Sequence, residues 1–144
     1  ALLEGQVAGL AAAGREAAIQ LMGLGVDMLH HNADAAALGL FQAVKDRPGI
    51  YVFGANADQH ALAPGHVLGS AVIDLPRAML LVAKEVHDGR FTPHVESFGL
   101  ASGVVRYVPD PALAERVPAA LARRVAAAAD SIAAGTLIPV PDSK

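Results

Sequence analysis

The residues with the clearest chemical potential follow one short apolar run. Tyr51-Val-Phe-Gly54 has the composition of a buried strand that stops at Gly54, and Asn56, Asp58 and Gln59 come directly after it. In an open parallel sheet, ligands sit in the crevice beyond the carboxyl ends of the strands, so three hydrogen-bonding side chains at a strand exit point to a binding loop. A turn needs only one such residue. Asn32 and Asp34 hold the equivalent place after a second apolar run, Val26 to His31, where strand gives way to helix. Either can be the N-cap, because Asp and Asn are strongly preferred there. A helix start aimed at a crevice also offers free N–H donors to a polar ligand.

Other chemistries find little support. With no cysteine, thiolate nucleophiles, redox pairs and cysteine zinc sites are excluded. Six histidines are present, but the adjacent His30 and His31 face opposite sides of a strand, and His60 and His66 lie in a loop without zinc-ligand spacing. No metal and no cofactor are expected. There is no Gly-x-Ser-x-Gly elbow and no phosphate loop, and Gly23-Leu-Gly25 follows a helix, the wrong side for a dinucleotide fingerprint. The chain is therefore read as a binding protein, not an enzyme. Ser70 interrupts an apolar strand and reads as a small buried hydroxyl bonded to backbone, while Phe41 and Phe98 read as core.

Size and charge bound the class. A chain of 144 residues can bury about two thirds of its unfolded surface and needs no metal or disulfide staple. The net charge of −3 and the lack of a basic run speak against nucleic acid as a partner. Arg15, Asp27, Asp74 and Lys84 interrupt every apolar stretch before the roughly twenty residues a bilayer requires, so a soluble chain is expected. Ala1-Leu-Leu-Glu-Gly-Gln6 lacks the features of a secretory signal; if the protein is exported, that signal was removed or lies outside this sequence.

The positioning elements follow from periodicity. Helical spacing runs from Gly14 to Gly23, a strand from Val26 to His31, and a second helix opens at Asn32–Asp34 with Ala37, Leu38, Phe41 and Val44 as its apolar stripe. Pro48-Gly49 ends that unit. Strands are expected at Ile50–Phe53 and Val67–Val72. Asp74 then caps a helix with Pro76 in its first turn that runs to His87, with Gly89 at C′. Val95–Phe98 and Val104–Val108 read as two short strands around a glycine turn, and Pro109, Pro111 and Pro118 as helix starts. The last helix, Val117–Ala134, has Leu121, Val125, Ala128 and Ile132 on one face before Gly135. The order helix, strand, helix, strand, strand, helix predicts an α/β fold with three layers and a mostly parallel sheet. Residues 1–13 stand apart as an atypical segment, 14–138 form one α/β lobe, and 139–144 an extended, mobile tail.

Gly25-Val-Asp27, the Asp34 loop, Gly54-Ala-Asn-Ala-Asp-Gln59, Ala63-Pro-Gly-His-Val-Leu68 and Phe98-Gly-Leu-Ala-Ser-Gly-Val-Val105 together resemble the basic membrane protein family. These are substrate-binding lipoproteins of ABC importers, similar to the purine nucleoside receptor group, in which two α/β lobes close on a ligand. The resemblance covers residues 14 to 141 and implies one lobe, the second, of a type I periplasmic-binding-protein fold. It implies a small polar ligand such as a purine nucleoside or base, held by Asn32, Asp34, Asn56, Asp58 and Gln59, with Ser102 and Gly103 near the cleft. It also implies importer membrane subunits as partners, and a periplasmic or extracellular, membrane-anchored location. Asn56 stands where many relatives carry an acid suited to ribose hydroxyls, and Ile73 where they carry a Lys or an aromatic. A missing first lobe, or a second copy of the chain, is needed to complete the cleft. The alternative is a self-associating structural or interaction module whose unpartnered apolar face drives assembly; a hydrolase or lyase built on Asp34, Asp58 and a histidine ranks last.

Overall fold

A computed structural model describes residues 2–139, with side chains described from residue 5 onward. The described residues form four α-helices, α1 (Leu2–Gly23), α2 (Ala37–Val44), α3 (Leu75–His87) and α4 (Ala119–Ala133), and four strands, β1 (Met28–His30), β2 (Tyr51–Asn56), β3 (Val67–Ile73) and β4 (Val105–Pro109). The expected α/β class with a mostly parallel sheet is what the chain adopts. The strands are hydrogen-bonded in the order β1-β2-β3-β4. β1 and β2 run parallel with Met28 opposite Tyr51, joined through α2 as a βαβ unit. The Val52 N–H donates to His66 O at 2.8 Å, and Gly54, two residues on, lies against Ser70, so β2 and β3 advance together. β3 and β4 run antiparallel, because Asp110 N pairs with Leu68 O at one end and Asp74 N with Val104 O at the other.

The chain divides into two compact units, residues 1–71 with 107–114, and residues 72–106 with 115–144. It passes between them three times, once within β3, once within β4 and once after Ala114. In the first unit the core gathers Ala18 of α1, Leu29 of β1, Phe41 and Val44 of α2, Val52 of β2 and Val67 of β3. Glycines let α1 and α2 approach closely. A Cβ on Gly39 would stand 1.7 Å from Ala11 O, and one on Gly14 2.0 Å from Ala36 O. That approach explains why an interior glycine, which costs a helix about 1 kcal/mol, is tolerated in both. In the second unit, α3 starts as expected: Asp74 Oδ1 accepts the Arg77 N–H at 3.0 Å and Pro76 stands in the first turn.

α1, α3 and α4 all close with glycine in the left-handed region, at Gly25, Gly89 and Gly135. In each, the next residue reaches back five positions, as Val26 N does to Leu21 O, Arg90 N to Glu85 O and Thr136 N to Ser131 O.

Several expectations need correction. Residues 2–13, set apart in the sequence as helical or irregular, are helical and continuous with the rest of α1. β2 does not stop at Gly54 but runs on to Asn56, since Gly54 pairs inside the sheet and is buried. Leu38 is 40 % exposed. α2 is covered by both α1 and the sheet, so its buried arc takes in Gly39, Leu40 and Ala43 and leaves Leu38 outside. Val95–Phe98 is not a strand; Val95 is almost fully exposed, and an apolar run without a partner strand has no ladder to join. Pro109 ends β4, and the 3-10 turn Pro111–Arg116 follows it, braced by Asp110 Oδ1 accepting the Ala112 N–H at 2.9 Å. α4 buries none of its residues, so the stripe led by Leu121 and Val125 stays open. The expected tail lies, apart from Pro139, outside the described residues.

Candidate functional site

The two strand exits of the first unit carry the only non-glycine residues with positive φ among those described, Asp34 at φ 42° and Asn56 at φ 67°. Asn and Asp tolerate this region better than other side chains, yet it still costs free energy, and such conformations gather at binding sites. The two residues meet: Asn56 Nδ2 donates to Asp34 Oδ1 at 3.5 Å across the exits of β2 and β1. Both are exposed. An exposed carboxylate beside an exposed amide offers acceptors and donors to a polar ligand. The N-cap reading of Asp34 is not what forms, because Ala33 holds the cap position of the 3-10 turn Asp34–Ala36 without any side-chain bond. Asn32 lies beside them in the chain, exposed, two residues before Asp34.

The rest of the loop is braced from below. Gln59 Oε1 accepts the Ala55 N–H and also contacts His31 Nε2, each at 2.9 Å, and the Gln59 N–H donates to Ser70 Oγ at 3.1 Å. Ser70 is fully buried and bonded to backbone, as its place in an apolar strand suggested. Gly54 makes room, since a Cβ there would lie 3.0 Å from both Cβ and Oε1 of Gln59. Gln59, expected to face a ligand, thus spends its carbonyl oxygen inside the protein. Asp58 Oδ1 takes the His60 N–H at 3.1 Å and contacts His60 Nδ1 at 2.8 Å, which anchors the 3-10 turn His60–Leu62 while its carboxylate stays exposed.

The family model described as ABC transporter substrate-binding protein PnrA-like matches residues 11–135. The chain belongs to this family. Among curated relatives, it is 32% identical over 102 residues to Basic membrane protein A of Borreliella afzelii, covering 69% of this chain and 31% of that protein. It is 31% identical over 106 residues to Basic membrane protein A2 of Borrelia garinii subsp. bavariensis, covering 69% and 30%. Its fold is similar to that of an ABC transporter solute-binding protein from Aeropyrum pernix, with a TM-score of 0.76, 19% identity, and coverage of 92% of this chain and 45% of that one. A transcriptional activator of the comK gene from Bacillus halodurans gives the same TM-score at 22% identity, covering 87% and 43%. The chain spans about a third of the length of the curated relatives it matches and less than half of these solved structures.

The remaining expected site residues of this PnrA-like chain, Ser102 and Gly103, belong to its second unit. Ser102 Oγ donates to Gly99 O at 2.7 Å and accepts from Val104 N at 3.2 Å, so the hydroxyl closes its own turn. Gly103, at φ 69°, completes that turn, and Arg77 Nε donates to Ser102 O at 2.6 Å. Arg106 Nη1 meets Asp74 Oδ2 at 3.1 Å. The Arg77 backbone N–H and then the two guanidinium groups hold the Asp74 carboxyl below its ordinary pKa. Glu85, His94 and Glu96 also come together in this unit, with ligand-capable atoms within 4.8 Å. His94 Nε2 lies at hydrogen-bond length from Glu96 Oε2, and the Thr92 carbonyl, followed by Glu96, raises the His94 pKa. Reading the sequence missed His31, Ser70 and Gly54 as parts of the site. The signal for His31 was its place at the exit of β1, one residue before Asn32.

Proposed function

We infer that this chain contributes part of the ligand-binding cleft of an ABC importer's solute receptor, taking a small polar ligand of the nucleoside or nucleobase class. The observation that carries the reading is the pairing of Asp34 with Asn56, two strained, exposed polar residues at adjacent strand exits. A strained conformation kept at the surface by an internal brace serves presentation better than packing. Membership of a substrate-binding family supports binding over catalysis. In this reading Asn32, Asp34, Asn56 and Asp58 face the ligand, Gln59 braces them, and Ser102 and Gly103 shape a turn that reaches the cleft in the whole receptor. A two-lobe receptor of this kind works by closure, with transporter membrane subunits reading the closed form at the outer face of the membrane. No described helix is long and apolar enough to cross a membrane.

In this reading the chain, which spans about a third of its curated relatives, supplies the second lobe and half of the cleft, and is expected to bind weakly alone. Titration of the 15N-labelled chain with adenosine, guanosine, inosine and free bases at millimolar concentration tests this. The expected result is saturable shifts at Asp34, Asn56 and Asp58 with no submicromolar affinity. Shifts confined to other residues, or tight binding by a proven monomer, would refute it. A second reading, self-association, is favoured by one observation: Leu75, Met79 and Leu80 of α3 are 65–73 % exposed and α4 buries nothing. Sedimentation at increasing concentration discriminates, a constant monomer mass excluding it.

A further inference from the structure

His31 is 6 % exposed, and a polar ring so deeply buried costs free energy unless it is hydrogen-bonded. Its bonding is one-sided. Nε2 lies 2.9 Å from Gln59 Oε1, while Nδ1 is buried with no partner among the described residues. The ring stands edge-on to Phe41 at 5.3 Å between centroids, a place where phenylalanine would pack as well. The direction of the one bond is determined. Gln59 Oε1 also receives the Ala55 N–H at 2.9 Å, and a backbone N–H can only donate, so the Gln59 atom is the carbonyl oxygen and His31 Nε2 must carry hydrogen.

We propose that His31 is a positioning residue for ligand binding: by donating Nε2–H to Gln59 Oε1 it locks the Ala55–Gln59 corner and so fixes Asn56 in its left-handed conformation. The Ala55 N–H to Gln59 Oε1 bond closes a ring around Asn56, and Ser70 Oγ holds the Gln59 backbone from the other side. Without the imidazole, the Gln59 side chain keeps one anchor in place of two, and the corner opens more often. Preorganisation of this kind raises affinity by sparing the ligand the cost of ordering the loop. The proposal rests on the reading that this corner meets the ligand.

Three variants of the 144-residue chain test it: His31→Phe, which keeps the packing; Gln59→Met, which keeps the length but loses the acceptor; and Gln59→Glu, which keeps the acceptor. The first readout needs no ligand. Amide exchange at Ala55 is expected to quicken roughly tenfold in His31→Phe and Gln59→Met and to stay near wild type in Gln59→Glu, while Val52, bonded to His66 O, is unaffected. The second readout is the adenosine and inosine titration, in which the first two variants should bind several-fold more weakly, with melting temperatures close to wild type. Unchanged Ala55 exchange in His31→Phe overturns the proposal, as does faster exchange with undiminished nucleoside binding. If exchange responds but no nucleoside perturbs residues 55–59 of the wild-type chain, the lock is upheld and the ligand reading fails. Should His31→Phe not fold, His31→Leu, which also removes the Nε2–H donor and leaves Gln59 intact, makes the same comparison.

Discussion

Replacing Gly54 by alanine strikes the brace beneath the candidate loop without touching an exposed group. The new Cβ would lie 2.5 Å from Ser70 Oγ and 3.0 Å from Gln59 Oε1, so something must move. Backbone strain is not the issue, because Gly54 lies outside the left-handed region. If Ser70 turns away, its buried hydroxyl and the Gln59 N–H are both left unpaired, at about 1–3 kcal/mol. If Gln59 swings out instead, the two bonds at 2.9 Å are lost, each worth about 0.5–1.5 kcal/mol net. Alanine returns about 0.4–1 kcal/mol by restricting the unfolded chain. By either route the balance is a loss of about 0.6–2 kcal/mol. Urea denaturation followed by tyrosine fluorescence measures it cleanly. The chain has no tryptophan, and both of its tyrosines, Tyr51 and Tyr107, lie in the first unit, so the signal reports that unit even if the two unfold separately. In a Ser70→Ala background the 2.5 Å contact disappears, and Gly54→Ala should cost about 1 kcal/mol less than it does in the wild type. A single variant within about 0.5 kcal/mol of wild type, or a strictly additive double variant, would refute the reasoning.

Gly39→Ala places a Cβ 1.7 Å from Ala11 O and 2.6 Å from Arg15 N, both backbone atoms, so α1 and α2 must separate; a loss of about 3 kcal/mol or more is expected in the same denaturation assay. Gly69→Ala would put a methyl 2.3 Å from the Tyr107 hydroxyl and displace the ring. Burial raises the Tyr107 pKa, so its ionisation should fall to lower pH in an alkaline absorbance titration. Asp74 has a folded pKa below its ordinary 3.8, set first by the Arg77 N–H, so its contribution is present above that value and is lost as pH falls through the folded one. Fraying at Arg77, followed by its amide resonance, should appear in acid for the wild type and at neutral pH in Asp74→Ala. His94 has the opposite sign: its pKa is raised above 6.5 by Thr92 O and Glu96, so the stabilisation is complete below that value and fades as pH rises through the folded pKa. His94→Gln should flatten the dependence of second-unit stability between neutral and alkaline pH.

Local chemistry made several elements legible in the sequence. Asp74, Pro76 and Gly89 announce the start and end of α3, because capping and the left-handed C′ position depend only on neighbouring residues. The alternation of apolar runs with helical stripes was enough for the α/β class, and five separated motifs were enough to suggest the family that the comparison establishes. The runs gave less away about their limits. β2 extends through Gly54 because a neighbouring strand pairs with it, and Val95–Phe98 fails as a strand because none does. What only the tertiary structure decided is which polar residues of the loop are free. Asn56, Asp58 and Gln59 look alike in sequence, yet Gln59 turns inward to His31, 28 residues away, while Asn56 turns toward Asp34. Sequence specifies which side chains can hydrogen-bond. Only the packed chain brings a buried imidazole or a second strand exit within reach, and that distance separates a brace from a binding group.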